Sequence, residues 1–141
     1  MARCFVGAVV VLLAGLCATA GAQELAHRPQ PVDMDGGHCA LCGMRLVAPR
    51  HVAQLQTKDG RVHDFDDPGC LLRFLQARRP RVHARYFRGP DLRWIRGRDV
   101  AFLPGGRTPM GYGLAAVPSG TPGAVSWDEA WRRVAARHRG Q

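Results

Sequence analysis

Alternation of apolar and polar residues predicts a β-hairpin in the first half of the chain. Within residues 51–57, Ala53 and Leu55 fall on one face, which is typical of a strand with one buried side. Residues 58–60 (Lys-Asp-Gly) predict a tight turn, because Asp-Gly supplies the positive φ angle that hairpin turns need. Residues 61–65 therefore return as the second strand.

A helical period of apolar residues follows this hairpin. Asp67 is the predicted N-cap, and Pro68 suits the first position of a helix. Leucine and phenylalanine then form an apolar stripe along residues 70–78, and Pro80 ends the helix. This prediction places Cys70 in the first turn.

The second half of the chain repeats this order of elements. Residues 82–87 and 100–103 predict strands, and residues 110–117 predict a strand that contains glycine. Ser126 and Glu129 form a predicted capping box at the start of the final helix. One face of that helix carries Trp127, Trp131, Val134, Ala135 and His138.

Together these elements predict an α+β fold. Each half is a hairpin with a helix on it, a ββα(β)-type unit, and neither half alone could bury much core. We therefore expect the two units to pack as one compact body. The predicted core residues are Phe65, Leu72, Leu75, Phe102, Trp127 and Trp131.

Residues 1–22 have the layout of a secretory signal peptide. A positive charge precedes an apolar run over residues 5–16, and small residues lead to a cleavage site after Ala22. The run is too short for an ordinary transmembrane helix. Cys17 is a candidate for lipid attachment, but the residue before it is Leu16 rather than the small residue usual in lipoproteins. We therefore expect release into the periplasm rather than membrane anchoring.

The segment after the predicted cleavage site differs from the rest of the chain. Residues 23–37 contain prolines and glycines with little apolar periodicity, which predicts a flexible N-terminal arm. Residues 38–141 then form the predicted metal-binding domain.

The chain is strongly basic, with a formal net charge of +9. A basic balance often indicates nucleic-acid binding, but the predicted export argues against nucleic acid as a partner. We interpret the charge as a solvated basic surface. An acidic partner or a membrane surface, approached through electrostatic steering, is the alternative.

Cleavage after Ala22 would leave three of the five cysteines, namely Cys39, Cys42 and Cys70. An odd number of cysteines cannot pair completely within one chain. An idle thiol is a liability in an oxidising compartment. A bound metal or a disulfide to a partner protein would each explain the third thiol.

Residues 38–44 (His-Cys-Ala-Leu-Cys-Gly-Met) concentrate soft ligands and admit several interpretations. A structural zinc site would combine the three cysteines with one histidine. The candidate histidines are His38, His51 and His63. A thiol–disulfide exchange site normally begins a helix after a buried strand, whereas coil precedes this motif. A plain Cys39–Cys42 disulfide is the structural alternative, and it leaves Cys70 unexplained.

A Cu(I) site is the further interpretation of the same segment. Cu(I) is soft and prefers thiolate and thioether ligands in low coordination numbers. Met44 places a thioether two residues after Cys42. Because Zn²⁺ seldom uses methionine, Met44 discriminates between the two metals if its side chain points inward; otherwise it is an apolar core residue.

Four motifs follow one another along the chain: Cys-Ala-Leu-Cys-Gly-Met at 39–44, Phe-Asp-Asp-Pro-Gly-Cys-Leu-Leu-Arg-Phe at 65–74, Thr-Pro-Met-Gly-Tyr-Gly-Leu-Ala-Ala at 108–116, and the tryptophan-bearing final helix. In this order they resemble the NosL family, exported copper-binding accessory proteins of nitrous oxide reductase maturation. The resemblance covers nearly all of the predicted mature chain. It implies a Cu(I) chaperone built from two ββαβ-like units, which delivers copper to a partner's copper–sulfur centre.

The resemblance also implies a copper site made of cysteine with help from methionine and histidine. The positions that match the family motifs are Cys39, Cys42, Gly43, Met44, Asp66, Asp67, Cys70 and Met110. The candidate metal ligands are therefore Cys39, Cys42, Met44, Cys70, Met110, His38 and His63. We expect Asp66 and Asp67 to cap the helix rather than touch Cu(I), because hard carboxylates match this ion poorly.

The sequence thus predicts a periplasmic Cu(I)-binding metallochaperone that delivers copper to nitrous oxide reductase, its assembly machinery or another copper enzyme. No nucleophile–base arrangement in the sequence indicates catalysis. One alternative is a periplasmic thiol–disulfide oxidoreductase that keeps copper-site cysteines reduced. The other is a small structural zinc or disulfide module.

Overall fold

Six strands and two α-helices follow one another in a computed structural model that describes residues 27–139. In chain order they are β1 (Ala53–Thr57), β2 (Val62–Phe65), α1 (Pro68–Arg78), β3 (Val82–Arg88), β4 (Trp94–Arg96), β5 (Val100–Pro104), β6 (Leu114–Pro118) and α2 (Trp127–Arg139). A single 3₁₀ turn, Pro49–His51, precedes β1. The predicted signal peptide, the lipid-attachment candidate Cys17 and the first residues of the predicted arm lie outside the described residues.

The larger sheet is antiparallel and has the strand order β2-β1-β3-β4. Strand β1 is central, with Leu55 opposite His63 of β2 and opposite Arg85 of β3. Residues directly opposite in an antiparallel pair share a face of the sheet. The face that carries Leu55 packs against α1, where Leu71 and Leu72 are fully buried.

Helix α1 begins as the sequence predicts. The Asp67 side chain accepts a hydrogen bond from the Gly69 backbone N–H at 2.8 Å, and Pro68 occupies the first turn. The helix ends at Arg78, and Arg79 adopts a left-handed conformation with φ 47° before Pro80. Local sequence chemistry therefore fixes both ends of the element that carries Cys70.

The second unit is the β5–β6 hairpin with α2 beside it. The prediction of a strand over residues 110–117 is wrong in its first half, because β6 begins only at Leu114. Gly111 and Gly113 adopt φ angles of 68° and 67°, which a strand does not accommodate. Residues 110–113 instead form a loop that folds back toward α1.

The start of α2 contains half of the predicted capping box. The Glu129 backbone N–H donates to Ser126 Oγ at 3.3 Å. The Glu129 carboxylate accepts hydrogen bonds from Arg132 and Arg133 on the next turn. Ser126 thus caps the helix, while the Glu129 side chain serves the exposed face of the helix.

The core lies between the sheet, the hairpin and the two helices. Burial of Phe65, Leu72, Leu75 and Phe102 confirms four of the predicted core residues. The prediction holds only in part for Trp127 and Trp131, which pack against this core but are half-buried because they also line an open groove between α1 and α2.

Residues 28–30, predicted as part of a flexible arm, lie along the opposite face of β1. The Gln30 backbone N–H donates to Gln54 Oε1 at 2.7 Å, and Gln56 Nε2 donates to the Arg28 carbonyl at 2.9 Å. Gln54 and Gln56 are consequently fully buried. A strand that reads as half-polar is therefore buried on both faces. The arm satisfies much of the amide chemistry of these two side chains, while Gln56 Oε1 has no hydrogen-bond partner among the described residues.

The α+β prediction is confirmed, with two units of unequal size. The first has a four-stranded sheet and α1, whereas the second has a two-stranded hairpin and α2. Within residues 27–139, neither helix is long and apolar enough to cross a bilayer.

Candidate metal centre

Three thiols lie together at the edge of the first unit. The Sγ atoms of Cys39, Cys42 and Cys70 are all within 4.8 Å of one another. All three are free cysteines; Cys39 and Cys70 are buried, and Cys42 is exposed. The group therefore has two buried donors and one donor open to solvent.

A tight loop presents Cys39 and Cys42 to this group. The Cys39 N–H donates to the Met44 carbonyl at 2.7 Å, and the Gly43 N–H donates to the Cys39 carbonyl at 2.9 Å. Gly43 has a φ of 73°, a left-handed conformation that favours glycine. His38 and Arg45 form a β-bridge that closes the loop. The motif is thus a turn and not the start of a helix.

A hydrogen bond between Cys70 and Cys39 gives the thiols of the group different pKa values. A hydrogen bond from Cys70, helped by backbone groups of Cys42, Asp66 and Leu41, lowers the pKa of Cys39 to about 5. The same hydrogen bond, together with burial, raises the pKa of Cys70, which keeps its proton. Burial also raises the pKa of Cys42. Near neutral pH the group holds one thiolate and two thiols.

Two consecutive buried aspartates hold the surrounding segments in place. Asp66 Oδ1 accepts hydrogen bonds from the backbone N–H groups of Val47 at 2.9 Å and Ala48 at 3.3 Å. Asp67 caps α1 through Oδ1 and accepts from the Met110 N–H through Oδ2 at 2.9 Å. The expectation that Asp66 also caps α1 is wrong, because its carboxylate faces the segment that follows the Cys-x-x-C loop.

Burial raises the pKa of Asp66, although the Val47 and Ala48 N–H groups oppose that rise. The side chain is only 2% exposed. A buried carboxylate is retained where backbone donors satisfy it. Asp66 therefore ties the Cys-x-x-C loop to the start of α1, and Asp67 ties α1 to the second unit.

Tyr112 is the residue at this site that sequence reasoning missed. A Cβ added at Gly69 would come within 2.1 Å of Tyr112 Cγ, so the ring lies directly on the first turn of α1. Tyr112 Oη is 2.9 Å from His138 Nε2 of α2, and burial raises the Tyr112 pKa to about 12. The glycine immediately before Cys70 was the available signal, since glycine often marks a close approach.

The remaining predicted ligands have different surroundings. Met44 is 56% exposed, and Met110 is half-buried against the core. His38 is exposed, and the His63 ring packs on Phe74 of α1 with ring centroids 5.2 Å apart. Neither histidine belongs to the compact thiol group found within residues 27–139. Their roles as ligands, and those of the methionines, stay predictions.

A solved structure has a similar fold. It is the crystal structure of the copper chaperone NosL from Shewanella denitrificans, which matches with a TM-score of 0.51. The fold is NosL-like. The match covers 79% of this chain and 89% of the NosL chain. With 20% identity, it demonstrates a shared fold and supports the resemblance seen in the motifs.

The comparisons at the sequence level give no match. No protein-family model matches the chain, and no curated protein does so. The NosL-like fold and the thiol group are therefore the two independent observations from which a function can be argued.

Proposed function

We propose that this chain is an exported Cu(I)-binding metallochaperone. It would receive Cu(I) at Cys39, Cys42 and Cys70 and deliver it to a copper enzyme, with nitrous oxide reductase or its assembly machinery as the first candidate. The observation that carries the proposal is the compact group of three thiols, one of them exposed, on a NosL-like fold.

The spacing of the thiols suits one soft metal ion. A metal–sulfur bond of about 2.3 Å, with the ion at the centre of three sulfurs, requires sulfurs about 4 Å apart. The three Sγ atoms already lie within 4.8 Å of one another, so a small contraction suffices. Low-coordinate thiolate binding of this kind is what Cu(I) prefers.

The donor set favours copper over structural zinc. Structural zinc sites are almost always closed by four ligands. Among residues 27–139, the compact group contains the three cysteines and no histidine or carboxylate. A site with three donors is suited to release its ion, because a ligand from a partner can enter at the open position.

The exposed side chains of the site define the side from which a partner protein would approach in this proposal. Cys42 is exposed and Met44 is 56% exposed, whereas Cys39 and Cys70 are buried. In this proposal, a partner's ligand approaches from the Cys42 side and displaces that thiolate first. Met44, two residues after Cys42 and exposed, offers a further weak thioether that could bind the ion beside Cys39 and Cys70 while Cys42 is displaced.

The lowered pKa of Cys39 favours a second candidate function, thiol–disulfide exchange. A pKa of about 5 gives a thiolate at neutral pH, as an attacking thiol requires. However, that thiolate is buried, and the exposed Cys42 has a raised pKa. An exchange site needs the opposite arrangement, so the geometry supports metal binding better.

Competitive Cu(I) titration of the reduced protein tests the proposal. We expect about one Cu(I) per chain for the parent protein and strong loss of affinity in Cys39→Ser, Cys42→Ser and Cys70→Ser. Met44→Leu should bind normally in equilibrium but release Cu(I) more slowly to an acceptor. Unchanged affinity in all three serine variants would refute the copper site. Turnover of a disulfide substrate by the parent protein, retained in Met44→Leu, would favour the oxidoreductase.

Delivery and export require separate measurements. Copper-loaded protein should fill metal-free nitrous oxide reductase faster than free Cu(I) at the same buffered concentration. Cell fractionation and intact mass measurement should place the protein in the periplasm with its N-terminus at Gln23. A lipid-modified Cys17 would instead place it on a membrane.

A further inference from the structure

A groove of about 840 Å³ runs between α1 and α2, on a different surface from the thiols. One wall is formed by Arg73, Leu75 and Gln76 of α1 with Arg79 just after the helix, and the other extends from Trp127 to Arg139 on α2. At a rise of about 1.5 Å per residue, the α2 wall is about 18 Å long. A length of this kind accommodates about five residues of an extended chain.

The groove is positively charged with little internal compensation. Arg73, Arg79 and Arg85 line it, and Asp128 is the one carboxylate in its lining. Within residues 27–139, none of these three arginines forms an ion pair. Five other arginines of the described chain have carboxylate partners, and most of the remaining ones are unpaired as these three are. Those paired arginines are Arg61, Arg93, Arg98, Arg132 and Arg133.

Arg85 is the most informative of the three. It projects from β3 on the face that packs against the helices, and its guanidinium lies 4.3 Å from the centroid of the Trp127 ring. It is half-buried, and this burial lowers its pKa. A planar cation stacked on an indole keeps its donor edge available for a carboxylate.

The α2 side of the groove is aromatic. The Trp127 and Trp131 rings stack with centroids 6.4 Å apart, and both side chains are half-buried beside the groove. Half-exposed tryptophan beside unpaired arginine is a combination enriched at protein–protein interfaces. The groove thus offers an apolar contact beside unpaired arginines.

We infer that the α1–α2 groove binds an extended acidic peptide segment of a partner protein, with an apolar side chain of that segment on the tryptophans. Charge complementarity selects carboxylates, and the length of the groove selects a chain segment over a small anion. This inference goes beyond copper binding and depends on none of the thiols.

Contacts connect the far end of the groove to the metal centre. His138 lines the groove and lies 2.9 Å from Tyr112 Oη, and the Tyr112 ring rests on Gly69 beside Cys70. A partner held in the groove is therefore positioned relative to the turn that carries Cys70. The groove would orient a copper-receiving protein, although its peptide binding can be measured without copper.

Fluorescence anisotropy with a labelled peptide of glutamates around a central leucine tests the inference on the full, metal-free chain. We expect saturable binding that weakens by about 10-fold in the double variant Arg79→Gln/Arg85→Gln. The matched control is Arg93→Gln/Arg98→Gln, which removes the same charge from exposed positions elsewhere. The control should bind as the parent does.

Three further measurements complete this binding experiment. The same peptide with glutamine for glutamate should not bind, and an alanine in place of leucine should weaken binding. Unfolding curves must show that both double variants are folded. Equal weakening in the control and groove variants would overturn the inference, because it would indicate non-specific attraction to a basic protein. Tighter binding of a single-stranded DNA oligonucleotide in the groove would also overturn it.

Discussion

The two hairpin-plus-helix units contribute differently to the metal centre. The first unit, with β1, β2, α1, β3 and β4, carries the thiol of Cys70, and the loop just before it carries Cys39 and Cys42. The second unit supplies no cysteine to the described structure. It supplies Met110, whose N–H binds Asp67, and Tyr112, whose ring covers Gly69.

The first unit, with the loop before it, thus provides the candidate metal-binding thiols, and the second unit provides contacts that support the site. The donors come from segments joined by a buried carboxylate, Asp66, within the first unit. The second unit touches the site through backbone and ring contacts around the start of α1. We therefore expect substitutions in the first unit to change copper affinity most, and substitutions at the contact between the units to change stability most.

The largest expected effect is loss of copper binding in the first unit. Cys70→Ser should weaken Cu(I) binding by more than about 100-fold. Substitution of residues that only hydrogen-bond to metal ligands already weakens metal binding by about 10- to 100-fold, and Cys70 is a proposed ligand itself. Met110→Leu, in the second unit, should weaken it by at most about 10-fold. Competitive Cu(I) titration measures both. Equal effects of the two substitutions would contradict the division of roles.

The pH dependence of copper affinity is the second prediction. At neutral pH, Cys39 with its pKa of about 5 is already a thiolate, whereas Cys42 and Cys70 with raised pKa values are protonated. Binding Cu(I) to three thiolates then releases about two protons, so affinity should rise about 100-fold per pH unit. Affinity that is independent of pH, measured by titration in buffers of several pH values, would contradict this protonation pattern. In Cys42→Ser the slope should fall to about 10-fold per unit.

Gly69→Ala tests the contact between the units. The added Cβ would overlap the Tyr112 ring, so the free energy of unfolding should fall by about 1–3 kcal/mol. Gly106→Ala is the matched control, because a Cβ at Gly106 meets nothing within 4 Å. Chemical denaturation measures both. In the background of Tyr112→Ala, Gly69→Ala should cost much less, and a purely additive result would show that the ring is not the obstacle.

The two aspartates give the smallest and most local prediction. Asp67→Asn keeps one acceptor oxygen and loses the other, so it should cost about 1–2 kcal/mol of unfolding free energy. Amide hydrogen exchange should accelerate at Met110 or Gly69 and stay unchanged at Val47. Asp66→Asn should show the reverse pattern, with faster exchange at Val47. Identical exchange patterns in the two variants would contradict their separate roles.

Much of the fold follows from local sequence signals. The Asp-Gly turn, the Asp67 cap and the Ser126 cap each act through neighbouring residues, and each is present in the structure. The sequence did not reveal the loop that contains Gly111 and Gly113, because glycine is also tolerated in strands at a cost in stability. In the structure both glycines have positive φ angles. Alternation alone therefore placed the start of β6 too early.

The candidate site divides in the same way. Cys39 and Cys42 are neighbours because the Cys-x-x-C spacing and Gly43 make a turn, which is a local property. That Cys70 joins them depends on packing of α1 on the sheet and on Asp66, which no spacing rule gives. Tyr112 was missed for this reason: its partner Gly69 is distant in sequence.

The sequence by itself determined the element types, the helix caps, the soft-ligand loop and the resemblance to NosL, because these depend on residues close together in the chain. Only the tertiary structure decided which thiols meet, which of them is exposed, and that unpaired arginines flank two tryptophans in one groove. Those properties depend on how distant segments pack, since burial and neighbouring charges are set by contacts across the fold and not by the local pattern.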